Sequence, residues 1–173
     1  MRSDQAEVVG GGVKLRLSDS ADVASIRRLI HATIDCSYVG VYPPLAVRYF
    51  KEYHSVDRLR GRQAAGAVLV AEQDGQIVAT GAIVGADISG VFVHPRLRRR
   101  GIGGQVMDRL EGDAESAGRD SVRLDVSLPS KGFYEGRGYR LLESCSLDVG
   151  AGERLDYWTA EKWLGTGWSQ RGR

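Results

Sequence analysis

Apolar and polar residues alternate over Val13–Leu17, where Val13, Leu15 and Leu17 flank Lys14 and Arg16, the period of a half-buried strand. Ser18, Asp19 and Ser20 then offer helix caps, and Val23, Ile26, Leu29, Ile30 and Ile34 share one face at helical spacing. The Gly40–Pro44 stretch breaks the pattern, and Pro44 suits the first turn of a second helix carrying Leu45, Tyr49, Phe50 and Tyr53. Strands are predicted at 67–72 and 76–84 about an Asp74-Gly75 turn, with a third at 88–93 that Pro95 stops. Ile102, Val106, Leu110 and Ala114 recur every four residues as an amphipathic helix, and Gly118 can close it. A strand at 121–126, a short helix at 130–135 and a hairpin of 139–149 with 154–164 complete the pattern. Consecutive strands followed by strand–helix–strand units predict an α/β chain: a mixed sheet with helices on its faces. The expected organisation is a flexible leader at 1–12, one domain at 13–164 and a tail at 165–173.

Composition narrows the class. Of 173 residues, 42% are apolar and 27% charged, which suits a globular chain and not a disordered one. No apolar run approaches the ~20 residues of a membrane helix. Asp4 and Glu7 sit where a secretory signal would be apolar. Two cysteines and three histidines supply neither a disulfide framework nor a metal cluster. The expectation is a cytoplasmic, metal-free protein with no membrane partner. A net charge of +2 gives no reason to expect nucleic acid. The chain has 23 glycines, about twice the share of ~7% that is usual, and a group of them follows the arginines of residues 96–100.

That junction carries the chemistry. Val91-Phe92-Val93 ends a strand, a turn with Pro95 follows, and Arg98-Arg99-Arg100-Gly101-Ile102-Gly103-Gly104 opens a helix. Glycines there leave backbone N–H groups free to converge on an anion, which the helix dipole also favours, so a phosphate or pyrophosphate is the expected ligand. A dinucleotide fingerprint would need glycine at Val106, and a P-loop would need Gly-Lys-Ser/Thr; neither is present.

The segment resembles the acyl-CoA motif of the GNAT superfamily of N-acetyltransferases, Arg/Gln-x-x-Gly-x-Gly/Ala, here Arg98-x-x-Gly101-x-Gly103. Phe133-Tyr134-Glu135-Gly136-Arg137-Gly138-Tyr139 resembles that family's Phe-Tyr-x-x-x-Gly-Phe stretch, and the element order matches from 13 to 164. The resemblance implies a mostly antiparallel seven-stranded sheet with about four helices, splayed between the fourth and fifth strands. It also implies acetyl-CoA as co-substrate. The pantetheine arm would pair with Val91, Phe92 and Val93. The amides of residues 99–104 would hold the pyrophosphate, and the N–H of Val93 or Phe92 would stabilise the thioester oxyanion. Ser127, Ser130 and Phe133 fall at further cofactor positions. Ser127 and Ser130 replace a common asparagine and alanine, Arg99 a frequent glycine, and Tyr139 the usual phenylalanine.

Tyr134 matches the tyrosine that protonates the leaving thiolate. A phenol near pKa 10 gives up its proton to a thiolate near 8.5 at a cost of about 2 kcal/mol, which placement and pKa tuning must supply. Phe133 is the better core candidate of the two. On the acceptor side, an alkyl amine is neutral to only about 1 part in 2500 at pH 7, a penalty of ~4.6 kcal/mol, so a base is expected. By resemblance it falls at Asp87, with Asp125, His54 and Glu135 as weaker alternatives. His31 reads as a packed or surface residue. Tyr38, Tyr42 and His54 fall on the implied acceptor wall, while Tyr49 reads as packing. The expected activity is acetyl transfer to a primary amine of a small molecule or peptide by direct attack in a ternary complex. The alternative is an acyl-CoA-binding sensor without acceptor chemistry. The last hairpin offers an edge for a homodimer.

Overall fold

The computed structural model describes residues 12–165 and the backbone of strand β1 at Glu7–Val9. In chain order the elements are β1, β2 (Val13–Leu17), α1 (Val23–Ser37), α2 (Pro44–Tyr53), α3 (Val56–Ala65), β3 (Ala67–Gln73), β4 (Gln76–Val84), β5 (Asp87–Val93), α4 (Ile102–Ser116), β6 (Ser121–Ser127), α5 (Lys131–Gly136), β7 (Arg140–Gly150) and β8 (Glu153–Trp163). One sheet contains all the strands in the order β1-β2-β3-β4-β5-β6-β8-β7. It is antiparallel throughout except between β5 and β6.

The architecture is the mixed sheet expected, with two additions. The sheet has eight strands because Glu7–Val9, inside the expected leader, pairs with β2. There are five α-helices because 56–65 is also helical. Its sequence is too polar to reveal an apolar face, and only Leu59 is buried; the Ser55 side chain caps it by accepting from the Arg58 N–H.

Both faces of the central strands are covered, which explains the unbroken apolar run at 67–71. Leu69 and Ala71 meet Val106, Met107 and Leu110 of α4, while Val68 and Val70 meet Ile26, Ile30 and Ile34 of α1. Fully burying one such aliphatic side chain stabilises the fold by about 1.5–3 kcal/mol. The Asp74-Gly75 turn has φ of 51° and 74°, the left-handed pair that matches the twist of a two-residue hairpin. Among the described residues, no helix is long and apolar enough to cross a membrane.

Two irregularities shape the middle of the sheet. In the β4–β5 pairing Thr80 faces Phe92 and Ala82 faces Ser89, so Gly90 and Val91 oppose a single residue. This bulge needs the left-handed backbone of Gly90, φ 63°. The parallel β5–β6 ladder has one register pair, Asp87 with Arg123, and then the strands part. These are the fourth and fifth strands of the sequence reading, and the splay lies where it was expected.

Candidate active site

A cavity of about 840 Å³ fills the gap between β5 and β6. Its walls include the β5 edge from Asp87 to Phe92, the β6 residues Arg123, Asp125 and Ser127, and Tyr134 of α5. Tyr38, Tyr49, Phe50, Tyr53, His54 and Arg62 close it on the helical side. With β6 splayed away beyond the Asp87–Arg123 pair, the outward amides at the far end of β5 have no ladder partner. The His94 N–H donates to the Val78 carbonyl at 2.8 Å, so by strand alternation the Val93 N–H points the other way, into the gap. The Phe92 amide turns toward β4.

Past β5 the chain makes one short turn at Pro95–Leu97, then rises through Arg98 (ψ 157°), Arg99 (φ 59°) and Gly101 (φ 80°) into α4. Arg99 adopts a left-handed conformation where the resembled pattern often has glycine. The first helical hydrogen bond runs from Gln105 N–H to Gly101 O at 3.0 Å, and Gly101 has no side chain to cap the helix. The amides of Ile102, Gly103 and Gly104 therefore have no partner within the helix. A β-carbon at Gly103 would lie 3.3 Å from Val93 Cγ2 and 3.4 Å from Phe133 Cζ, so a bare backbone keeps this cradle open. Arg99 and Arg100 are exposed beside it. Arg98 instead reaches across to donate to Ser37 Oγ at the end of α1. These residues fit a diphosphate.

Tyr134 is 7% exposed and its ring packs edge-on against Phe133 and Tyr139, with centroids 5.1 and 5.5 Å away. Burial, and then the neighbouring Tyr38, push its phenol pKa up; Arg137 works weakly against them. No described residue accepts its hydroxyl proton. Phe133, expected in the core, is 40% exposed and stands over the start of α4. The short helix turns Tyr134 inward and Phe133 out, the reverse of the expectation from hydrophobicity. Tyr139 is tyrosine because its hydroxyl has a buried acceptor: it donates to Glu111 Oε1 at 3.1 Å, and Lys162 and Arg137 reach Oε2 at 2.6 and 3.3 Å.

Tyr38 lines the cavity and donates to Ser127 Oγ at 2.9 Å; Ser127 and Ser130 share a further hydrogen bond of 2.7 Å. Tyr42 does not line it. Its hydroxyl accepts from Leu128 N–H and donates to Asp156 O, both at 2.8 Å, so it clamps the α1–α2 connection onto β6 and β8. Tyr49, expected as packing, is 40% exposed and faces the cavity. The roles of these two tyrosines are exchanged because chain position at a helix break does not indicate side-chain direction.

Asp87 is at the cavity mouth with a side chain 71% exposed and 3.8 Å from Arg123 Nε. Asp125 lies two residues deeper along β6, and burial followed by the charge of Asp87 raises its carboxyl pKa. His54 is buried, and its Nδ1 accepts from Arg62 Nη1 at 2.9 Å. Burial, with Arg62 next, lowers its pKa to about 3, so the ring is neutral with its proton on Nε2. Glu135 is exposed on α5. His31 pairs with the Lys51 carbonyl at 3.0 Å between α1 and α2 and does not line the cavity. Among the described residues, no cluster of three or more His, Cys, Asp or Glu is arranged for a metal ion. Arg62 was missed because α3 was missed.

The same fold recurs in known proteins. A family model described as "Acetyltransferase (GNAT) domain" matches residues 32–150. A GCN5-related N-acetyltransferase from Rhodopseudomonas palustris superposes with a TM-score of 0.80 at 23% identity, covering 91% of this chain and 99% of that one. The PaiA N-acetyltransferase of Thermoplasma acidophilum, solved with coenzyme A, gives a TM-score of 0.68 at 17% identity, covering 87% and 98%. YncA of Salmonella typhimurium, a proposed acetyltransferase solved with acetyl-CoA, gives 0.63 at 17% identity, covering 94% and 100%. No curated protein matches the sequence. With the family model spanning well over half of its length, the chain belongs to the GNAT superfamily of acetyltransferases.

Proposed function

We propose that the protein moves an acetyl group from acetyl-CoA to a primary amine by direct attack, with donor and acceptor bound together. The observation that carries this reading is the gap between β5 and β6, which has a bare amide cradle at one end and the unpartnered Tyr134 hydroxyl in its wall. Bound acetyl-CoA would supply an acyl group already activated as a thioester.

The amides of Ile102, Gly103 and Gly104 hold the diphosphate, with Arg99 and Arg100 adding positive charge. The free edge of β5 takes the pantetheine arm as an added strand. Ser130, whose hydroxyl retains capacity beyond its bond to Ser127, offers that arm a polar contact, and Phe133 covers it from the solvent side. The Val93 N–H faces the gap and stabilises negative charge on the acyl oxygen. Tyr134 gives its proton to the departing sulfur. Its raised pKa keeps it protonated at every physiological pH and makes it a weaker acid, a loss that the same burial offsets by disfavouring the thiolate.

The incoming amine must lose a proton at a cost of ~4.6 kcal/mol when taken from solution at pH 7. Asp125 suits that task better than Asp87. A carboxylate with a raised pKa is a stronger base, and Asp125 lies further along β6 with no ion pair to a described residue, whereas Asp87, exposed as Asp125 is, sits beside Arg123.

Differential scanning calorimetry with CoA tests the reading. At a hundredfold excess over Kd a ligand adds about 2.7 kcal/mol, which in a chain of this size raises Tm by roughly 5–11 °C. Amine-dependent release of CoA is the second expected result. No thermal shift with CoA or acetyl-CoA would remove the proposal.

A further inference from the structure

We infer that the amine acceptor carries a carboxylate, and that Arg62 is its binding residue. This rests on the acetyltransferase reading above and names the class of acceptor: a small zwitterionic amine.

Arg62 projects from α3 into the acceptor arm of the cavity. Two of its five N–H donors are used. Nη1 donates to His54 Nδ1 at 2.9 Å and Nη2 to the Tyr53 carbonyl at 3.1 Å, and both acceptors are neutral. The guanidinium carbon also sits 4.9 Å from the centre of the Tyr53 ring. No described carboxylate pairs with Arg62. A half-buried cation held only by neutral groups has given up water without receiving a counter-charge. Its desolvation lowers its pKa, and a carboxylate ligand would reverse that.

Three features orient the group toward a ligand. Buried, neutral His54 can only accept at Nδ1, which fixes the guanidinium plane. Gly90, at the β5 bulge, has no side chain; a β-carbon there would stand 3.5 Å from Arg62 Nη1 and from His54 Cε1. Across the gap, Asp125 is at the same level: counting from the Asp87–Arg123 pair, it is as far along β6 as Ser89 is along β5. The cavity therefore presents a cationic fork on one wall and a carboxylate on the other. An amine that places its nitrogen at Asp125 and its carboxylate at Arg62 satisfies both. The planar fork matches a carboxylate in two-point contact, which a lysine at this position cannot offer.

The test compares matched acceptors on the full chain: free amino acids and ω-amino acids against their amides and against the corresponding decarboxylated amines. CoA release gives kcat/KM, and calorimetry on the CoA-bound protein gives Kd for the same compounds. The expected result is that acids exceed their amides by about tenfold to a hundredfold, the range of one charge-assisted bidentate contact. In Arg62→Gln that ratio falls to near one through KM, and in Arg62→Lys it is partly kept. CoA affinity and Tm, measured on each variant, verify folding. Acids that bind no better than their amides, or a preference that survives Arg62→Gln, overturn the inference. So does a preference for phosphomonoester amines over carboxylates. If CoA itself fails to bind, the acetyltransferase reading falls, whereas this inference alone falls if CoA binds and the acid-to-amide ratio is one.

Discussion

Replacing Tyr134 with phenylalanine should lower activity and leave stability nearly unchanged. The substitution removes one hydroxyl from a ring held edge-on between Phe133 and Tyr139 and leaves that packing intact. The hydroxyl has no hydrogen-bond partner among the described residues, so no bond is lost. It opens on the cavity and is not a buried unpaired group, so its removal returns no desolvation cost. Tm should therefore stay within ~2–4 °C of the parent in a chain of this length, the span of about 1 kcal/mol. Loss of a general acid, by contrast, lowers turnover about 10²- to 10⁴-fold, or ~2.7–5.4 kcal/mol of barrier. Calorimetric unfolding and thiol detection of released CoA on one preparation read both effects, with the Kd for CoA as a control that should not move. Turnover within threefold of the parent would remove Tyr134 from the mechanism. A Tm lowered by several degrees would mean that the hydroxyl has a structural partner after all.

Tyr42→Phe should do the opposite, since its hydroxyl serves both Leu128 N–H and Asp156 O. We expect a loss of about 2 kcal/mol and a Tm lower by ~4–8 °C, with turnover at 25 °C little changed; an unaltered Tm would refute the clamp. Asp125→Asn should lower kcat/KM and abolish its acid limb, because activity that needs the ionised carboxylate rises with pH through a pKa lying above the usual carboxylate range. A raised carboxyl pKa means that the folded state prefers the neutral form, so Asp125 weakens the fold as pH rises, and the Asn variant should melt slightly higher at pH 7; an unchanged pH profile would acquit Asp125. His54 has the opposite sign: its folded pKa near 3 lies below the ordinary 6.5. Its contribution is complete above pH 6.5 and fades as pH falls toward 3, by about 2 kcal/mol at pH 5. Urea titrations from pH 7 to 5 should show that decline, and His54→Gln should flatten it.

The bare amides proposed to hold the cofactor could be anticipated from the sequence because their exposure depends on backbone. A strand, a Pro-containing turn and glycines at a helix start leave few ways to dispose of the Ile102–Gly104 amides, whatever packs around them. The acceptor half depends on side-chain direction, which period and spacing do not fix. Tyr42 and Tyr49 exchanged roles for that reason, as did Phe133 and Tyr134, where the more polar ring is the buried one. α3 escaped notice because one buried leucine does not make a periodic face, and with it went Arg62. Glu7–Val9 pairs as a strand through backbone hydrogen bonds to β2, a kind of order that three residues cannot announce by composition.

The gap between β5 and β6 is tied across at both ends. At one end the Asp87–Arg123 pairing closes it, and at the other Arg98 reaches Ser37, Tyr38 bonds Ser127, and Tyr42 bonds Leu128. The opening is thus already present as a window between its ties and not a seam that a ligand must prise apart. A long, flexible thioester arm can thread through such a frame without paying to deform it, so the cost of binding lies in ordering the arm and not the protein. If the proposed function holds, the same frame would bring the sulfur of any acyl donor to one wall of the cavity, the one that holds Tyr134.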